Sequence, residues 1–282
     1  MAPDLMIGRR GEIADLAFKM REGISLALAG PRRVGKTTLG DAVCAELRGE
    51  MIVLPRVEVA EHRTDASDLL NAIVAACQQT TLSDETGRIA RALRPAFEAL
   101  LASLGLPIDV RGLFIEPGTL SQRQVLLLPV AVAEADGRPV VLFLDELQRV
   151  HQFGDLGLQF LADLIDLYTD HREVVLLVDG SDERLLEELF ARAQLDKLLD
   201  RHDIAPRILT GEWRLALPDR FAKVGLRVTG SALEQLIAFG AERPYETMWI
   251  CQRAALSAVQ SGTGQLTYFD VDQAVAAAVR EL

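Results

Sequence analysis

ISLALAGPRRVGKTT, residues 24–38, decides how the rest of the chain reads. Its apolar run from Ile24 to Ala29 has the composition of a strand buried on both faces. The run stops at Gly30, and a helical pattern resumes after Lys36. Between them Gly30, Gly35, Lys36 and Thr37 stand in the spacing G-x-x-x-x-G-K-T. Pro31, Arg32, Arg33 and Val34 fill the loop, and Thr38 follows it. Glycines reach backbone conformations closed to other residues, so successive N–H groups can turn toward one anion. A helix beginning near Lys36 adds the positive end of its dipole. The spacing assigns Lys36 to the β- and γ-phosphates of a nucleotide and the Thr37 hydroxyl to Mg²⁺. A Gly-rich turn that merely contains Lys-Thr is the plainer alternative. The strand before it and the helix after it favour the phosphate loop.

Working outward, VVLFLDE (140–146) is the second informative stretch. Four apolar residues, Val141 to Leu144, suit another strand covered on both faces, and acids stand at its end. Ligands of open parallel sheets bind beyond the carboxyl ends of the strands, where Asp145 and Glu146 emerge. Asp145 is therefore the candidate to hold Mg²⁺ through water, and Glu146 the candidate to polarise the water that attacks the γ-phosphate. Many strands end in acids. Downstream of a phosphate loop in the same domain, this pair becomes specific.

Composition sets the limits. The chain has 282 residues, 49% of them hydrophobic, and a formal net charge of −11. That length accommodates one large α/β domain and a smaller one, with a substantial core. The acidic balance does not point to nucleic acid as an obligate partner, although a local basic patch can still bind DNA. Cys44, Cys77 and Cys251 share no metal-ligand spacing and lie in apolar helical patterns, which fits small buried thiols in a reducing compartment. No signal layout opens the chain, and no apolar run is long enough to span a bilayer, so a cytoplasmic protein without membrane contact is expected.

The remaining segments place these motifs. Residues 5–20 read as a turn followed by a helix with Ile13, Leu16, Ala17 and Met20 on one face. MIVLPRVEV (51–59) reads as a second core strand, 66–80 as a helix, and 87–104 as helix interrupted at Pro95. Alternation around Arg111-Gly112 suggests a small β-hairpin over 106–118. Helices are expected near 120–135 and 155–169, then the strand EVVLLV (173–178), which ends at Asp179-Gly180-Ser181-Asp182. Residues 183–202 read as helical, and 207–213 as a last strand or a linker. Four helices near 218–224, 230–240, 244–261 and 270–280 follow, with RLAL (214–217) the one short strand-like pattern. The expected division is an α/β domain over 1–212 and an α-helical lid over 213–282.

The ordered set IGRR (7–10), GPRRVGKT (30–37), VVLFLDE (140–146), VDGSD (178–182) and FGAERPYET (239–247) resembles the STAND/archaeal-type branch of the AAA+ P-loop ATPases. The resemblance runs over about residues 5–282, and the phosphate loop and acidic pair are its specific parts. It implies a three-layer P-loop sandwich with a parallel sheet and a helical lid. It implies ATP and Mg²⁺ as ligands, with Ile7, Gly8 and Arg9 against the adenine. It also implies a polar sensor after the VDGSD strand, with Ser181 the first candidate and Asp179 the second. Ser181 as a mere helix cap is the competing reading. AERPY resembles the lid motif G-x-P, with Pro244 matching, Ala241 or Glu242 where a second glycine is usual, and Arg243 adjoining. Relatives complete the site with an arginine from a neighbouring subunit. Arg201 and Arg207 are the candidates, and a solvated turn beside Asp200 and Asp203 is the alternative. Members of the branch usually continue into a winged-helix domain; the sequence stops at Leu282, about where the lid helices are expected to end, which suits either a minimal ATPase core or a piece of a longer protein.

The expected function is ATP binding and slow hydrolysis to ADP and phosphate, used as a conformational switch, with a homo-oligomer or a partner protein as its context. A P-loop kinase for a small acceptor and a nucleotide-dependent scaffold with little turnover stay open. A guanine-specific enzyme is disfavoured, because N/T-K-x-D is missing after the late strand.

Overall fold

Burial on both faces is what the apolar runs require, and a six-stranded sheet provides it. The computed structural model describes residues 6–59, 66–82, 120–240 and 242–281. The strands are β1 (Ser25–Ala29), β2 (Ile52–Val53), β3 (Val57–Glu58), β4 (Val140–Asp145), β5 (Val174–Asp179) and β6 (Leu199–Asp203). Their spatial order is β2-β4-β5-β1-β6, with β3 also on β4, and every pairing is parallel. All residues of β1, β4 and β5 are buried. The phosphate-loop strand β1 is separated from the acidic strand β4 by β5, so both of their ends open on one crevice.

Period-two alternation divides the core into two layers. Val140, Leu142 and Leu144 of β4 face helices α3 (Ser67–Leu82), α4 (Gln122–Asp136) and α5 (Asp155–Asp170). Val141 and Phe143 face the other side with Leu26, Leu28, Val175 and Leu177, against α1 (Arg10–Arg21) and α2 (Lys36–Leu47). The result is helices on both faces of a parallel sheet: the P-loop α/β sandwich expected from the sequence.

A third apolar cluster is built from the C-terminal helices, and Ile7 and Ile208 join it. Its elements are α7 (Thr210–Lys223), α8 (Gly230–Gly240), α9 (Pro244–Ser261) and α10 (Tyr268–Glu281). Two short strands, β7 (Arg227–Val228) and β8 (Gln265–Leu266), pair in parallel beside them. Trp213 is its central side chain, 1% exposed, with its indole N–H donated to the Ile208 carbonyl at 3.1 Å.

Several local expectations are corrected. MIVLPRVEV is two short strands rather than one. Ile52 and Val53 pair with Val140 and Val141, but Val57 and Glu58 pair with Leu144 and Asp145. The 52–58 strand thus carries one extra residue, a bulge at Leu54–Arg56, where Pro55 has no N–H for the ladder. Residues 199–203 are not helical: LDRHD is the edge strand β6. Its burial is confined to Leu199 and, in part, His202, so its pattern carries no strand-like alternation. Residues 207–213 are neither strand nor wholly linker, because α7 starts at Thr210 and takes RLAL into a helix. The segments 87–104 and 106–118 lie outside the described residues.

Candidate nucleotide site

The loop after β1 is set by backbone conformations that favour glycine. Gly30 has φ 147° and Gly35 has φ 93°, and Arg33 between them is also left-handed at 69°. A Cβ on Gly30 would lie 3.3 Å from the Ile204 carbonyl oxygen, so the loop runs close against the segment after β6. Gly35 caps α2. Lys36, the first residue of that helix, is 6% exposed and turns its ammonium back into the loop, donating to the Gly30 and Pro31 carbonyls, both at 2.8 Å. Burial lowers its pKa, opposed by the charges of Asp179, Glu146, Glu183 and Asp145.

The ends of β4 and β5 meet this loop. The Thr37 hydroxyl donates to Asp179 at 3.1 Å and approaches Asp145 at 3.5 Å. Asp145 and Asp179 are 4% and 1% exposed. Burial, a hydrogen bond to Asp179 and that carboxylate's charge push the Asp145 pKa up to about 8, and Arg56 acts in the opposite direction. Two buried carboxylates beside a hydroxyl form an all-oxygen ligand set. One hydroxyl and one or two carboxylates are what Mg²⁺ takes from a protein when phosphates and water complete its shell, so Thr37 and Asp145 fit that ion. Arg56, on the bulge, touches Asp145 at 3.4 Å and Asp41 at 3.2 Å.

Glu146 follows β4 in a left-handed conformation, φ 60°. Its N–H donates to Asp179 at 3.0 Å, which ties the acidic strand's end to β5. Its carboxylate accepts from the Ser181 hydroxyl at 2.7 Å and from the Gln148 amide. Burial acts to raise its pKa, but these hydrogen bonds and the charges of Arg149 and Lys36 outweigh that and hold it below the ordinary carboxylate value. Ser181 is not the cap of the next helix, α6 (Glu183–Ala193). Asp182 is, accepting from the Leu185 N–H at 3.1 Å.

Loop, strand ends and helical cluster enclose a cleft of about 520 Å³. Ile7 lines it from the N-terminal segment, and Arg33, Val34, Gly35, Lys36, Thr37 and Thr38 from the loop. Glu146, Ser181 and Pro244 complete the part anticipated from sequence. Not anticipated were Met6, Ile208, Trp213, Arg220, Tyr245 and Met248. Met6, Ile208, Trp213 and Met248 give the cleft apolar wall area. Arg220, on α7, brings a further guanidinium whose pKa is lowered by burial. Tyr245 stacks on Arg33 with the guanidinium 4.4 Å from the ring centre, joining helical cluster to loop.

Other candidates lie elsewhere. Gly8 is left-handed, φ 66°, and packs on Ile208 without lining the cleft. Arg9 is a brace rather than part of the cleft lining. Its guanidinium donates to the Val34 and Ala205 carbonyls at 3.4 and 2.6 Å and pairs with Glu12 at 3.0 Å. Pro31, Arg32 and Arg207 meet Arg243 in a separate surface hollow on the outer side of the loop. Arg201 sits on β6, paired with Asp203 at 2.8 Å and Glu187 at 3.4 Å, and does not reach the cleft of its own chain. Glu242, where the lid motif usually has glycine, takes a glycine-like φ of 65°. Its carboxylate accepts from the Thr210 N–H and hydroxyl at 3.0 and 2.8 Å.

No protein-family profile matches the chain, and no curated protein sequence does. Solved structures are similar to it over nearly its whole length. The Walker-type ATPase of Pyrococcus abyssi has a TM-score of 0.67 at 18% identity, covering 97% of this chain and 72% of its own. The ORC2 protein of Aeropyrum pernix in its ADP form has a TM-score of 0.65 at 20% identity, covering 97% and 69%. RuvB of Thermotoga maritima has a TM-score of 0.58 at 13% identity, covering 98% and 71%. The fold is therefore that of the AAA+ P-loop ATPases, with a helical region after the sandwich.

Proposed function

We propose that this chain binds ATP with Mg²⁺ in the cleft between sandwich and helical cluster and hydrolyses it to ADP and phosphate. The observation that carries this reading is that Lys36, Thr37 and Glu146 line one 520 Å³ cleft and that the Thr37 hydroxyl lies 3.5 Å from Asp145, 108 residues away in the chain. The ADP form of a similar structure adds support at the level of the fold.

Each residue has a task its surroundings permit. Lys36 leaves the Gly30 and Pro31 carbonyls for phosphate oxygens, while the loop N–H groups and the start of α2 face the same charge. Thr37 and Asp145 hold Mg²⁺, which when bound neutralises phosphate charge and orients the terminal phosphoryl group. Glu146 accepts a proton from the attacking water, and its depressed pKa keeps it ionised for that role. Ile7, Ile208 and Trp213 take the base, and Ser181 ties the β5 end to Glu146.

A switch follows from the composition of the cleft wall. A nucleotide there touches the loop and, through Pro244, Tyr245 and Met248, helix α9. Losing the terminal phosphate changes contacts to one side more than the other, so the two nucleotide states stabilise different lid positions. In this reading the helical region from Thr210 is the lid.

The test is phosphate release with Mg-ATP and water as the sole acceptor, comparing the parent with Lys36→Ala. The parent should turn over, and the variant should lose ATP binding by calorimetry, since charge-assisted hydrogen bonds are worth about 1.5–3 kcal/mol each. Tight ATP binding without turnover in the parent would point instead to a nucleotide-dependent scaffold. Turnover that needs an added acceptor would point to a kinase.

A further inference from the structure

We infer that Gln148 is a positioning residue for hydrolysis: its side-chain amide, together with the Ser181 hydroxyl, fixes the orientation of the Glu146 carboxylate. This rests on the reading of Glu146 as the group that activates water.

Glu146 is held at several points. Its backbone occupies φ 60°, a conformation uncommon outside glycine, and the Asp179 carboxylate secures it by accepting its N–H at 3.0 Å. The contacts to its side chain then converge on one oxygen. Ser181 donates to Oε2 at 2.7 Å, the Gln148 Nε2 donates to the same atom, and Arg149 stands 4.0 Å from it. Gln148 also donates to the Ser181 oxygen at 3.3 Å, closing a triangle of three side chains. Oε1 of Glu146 takes part in none of these contacts and is the oxygen left to receive a proton.

Packing alone does not account for Gln148. The side chain is 2% exposed, and its Oε1 is buried without a protein partner. An apolar side chain of the same length would fill the space with no orphaned acceptor, so a glutamine here carries a cost that packing does not recover. What it supplies is the donor on Glu146. Gly180 fits the same account: a Cβ there would come within 2.7 Å of the Gln148 Oε1, so the lack of a side chain at 180 keeps the amide in place. A carboxylate turned away from the attacking water loses its effect, and displacement of about 1 Å costs on the order of 100-fold in rate.

The experiment measures kcat and KM for Mg-ATP in the parent and in Gln148→Met, which keeps length and removes the donor. Gly180→Ala disturbs the same contact from the opposite side without changing the chemistry of Gln148, and serves if Gln148→Met does not fold. Both substitutions should lower kcat by about 10- to 100-fold and leave KM and ATP affinity near the parent's. In a Glu146→Gln background Gln148→Met should cause no further loss, because its effect passes through that carboxylate. Parent-like kcat in both variants, or an equal loss with and without Glu146, would overturn the inference. A parent without turnover would remove the hydrolytic reading itself, which is a distinct result.

Discussion

Glu146 concentrates the chemistry of the cleft in one carboxylate, its backbone fixed by Asp179 at the end of β5 and its side chain by Ser181 and Gln148. Replacing it with glutamine keeps length and shape but removes the proton acceptor. Glu146→Gln should therefore bind ATP with unchanged affinity while turnover falls by about 10²–10⁴, measured by calorimetry and phosphate release on the same preparation. Unchanged turnover would leave the acidic pair with a structural role only. The residues that hold Glu146 were only partly legible. The strand-end pattern offers both Asp179 and Ser181 as sensor candidates, and the structure gives them different partners. Asp179 takes the Glu146 N–H and the Thr37 hydroxyl, and Ser181 takes the carboxylate. A strand end records which residues emerge from a sheet, not which neighbouring strand's residues they meet.

Among the elements, α2 sits close against the sheet at a glycine. Gly40 faces Phe143, and a Cβ there would lie 2.5 Å from the ring, inside any real contact. Phe143 is 1% exposed and cannot swing away. Gly40→Ala should destabilise the chain by about 1–3 kcal/mol through overpacking, read as a lower denaturant midpoint at unchanged m-value. Equal midpoints would mean that the helix can lift from the sheet at no cost. In the helical cluster Trp213 has the corresponding place. Trp213→Ala removes its largest buried side chain and should cost about 3–5 kcal/mol locally. Hydrogen exchange should then accelerate in α8, α9 and α10 while β1, β4 and β5 stay protected. Uniform acceleration would show that the two cores unfold as one.

At the scale of the whole molecule, Arg201 bears on whether one chain completes its own site. Arg201 is engaged by Asp203 and Glu187 outside the cleft, so any catalytic part it has must be played in another copy's site. A guanidinium acting across an interface contributes on the order of 10³–10⁵ in rate. If Arg201 acts this way, activity per chain should rise with protein concentration, and Arg201→Ala should abolish the rise. Flat specific activity from nanomolar to high micromolar protein, with Arg201→Ala as active as the parent, would describe a monomeric switch.

The amino-acid sequence alone determined the strand–loop–helix at 24–38, the acidic strand at 140–146 and the parallel sandwich. These rest on contiguous signals: glycine spacing, apolar runs and the residues that end them. Only the tertiary structure decided that LDRHD is an edge strand, since a strand with one buried residue leaves no alternation to read. It also decided that Pro55 makes a bulge presenting Arg56 to Asp145, that Gln148 bonds the Glu146 carboxylate, and that Arg220 and Tyr245 line the cleft. The reason is distance along the chain. Thr37 and Asp179 are 142 residues apart and meet because β1 and β5 are neighbours, an outcome of sheet order that no local pattern encodes.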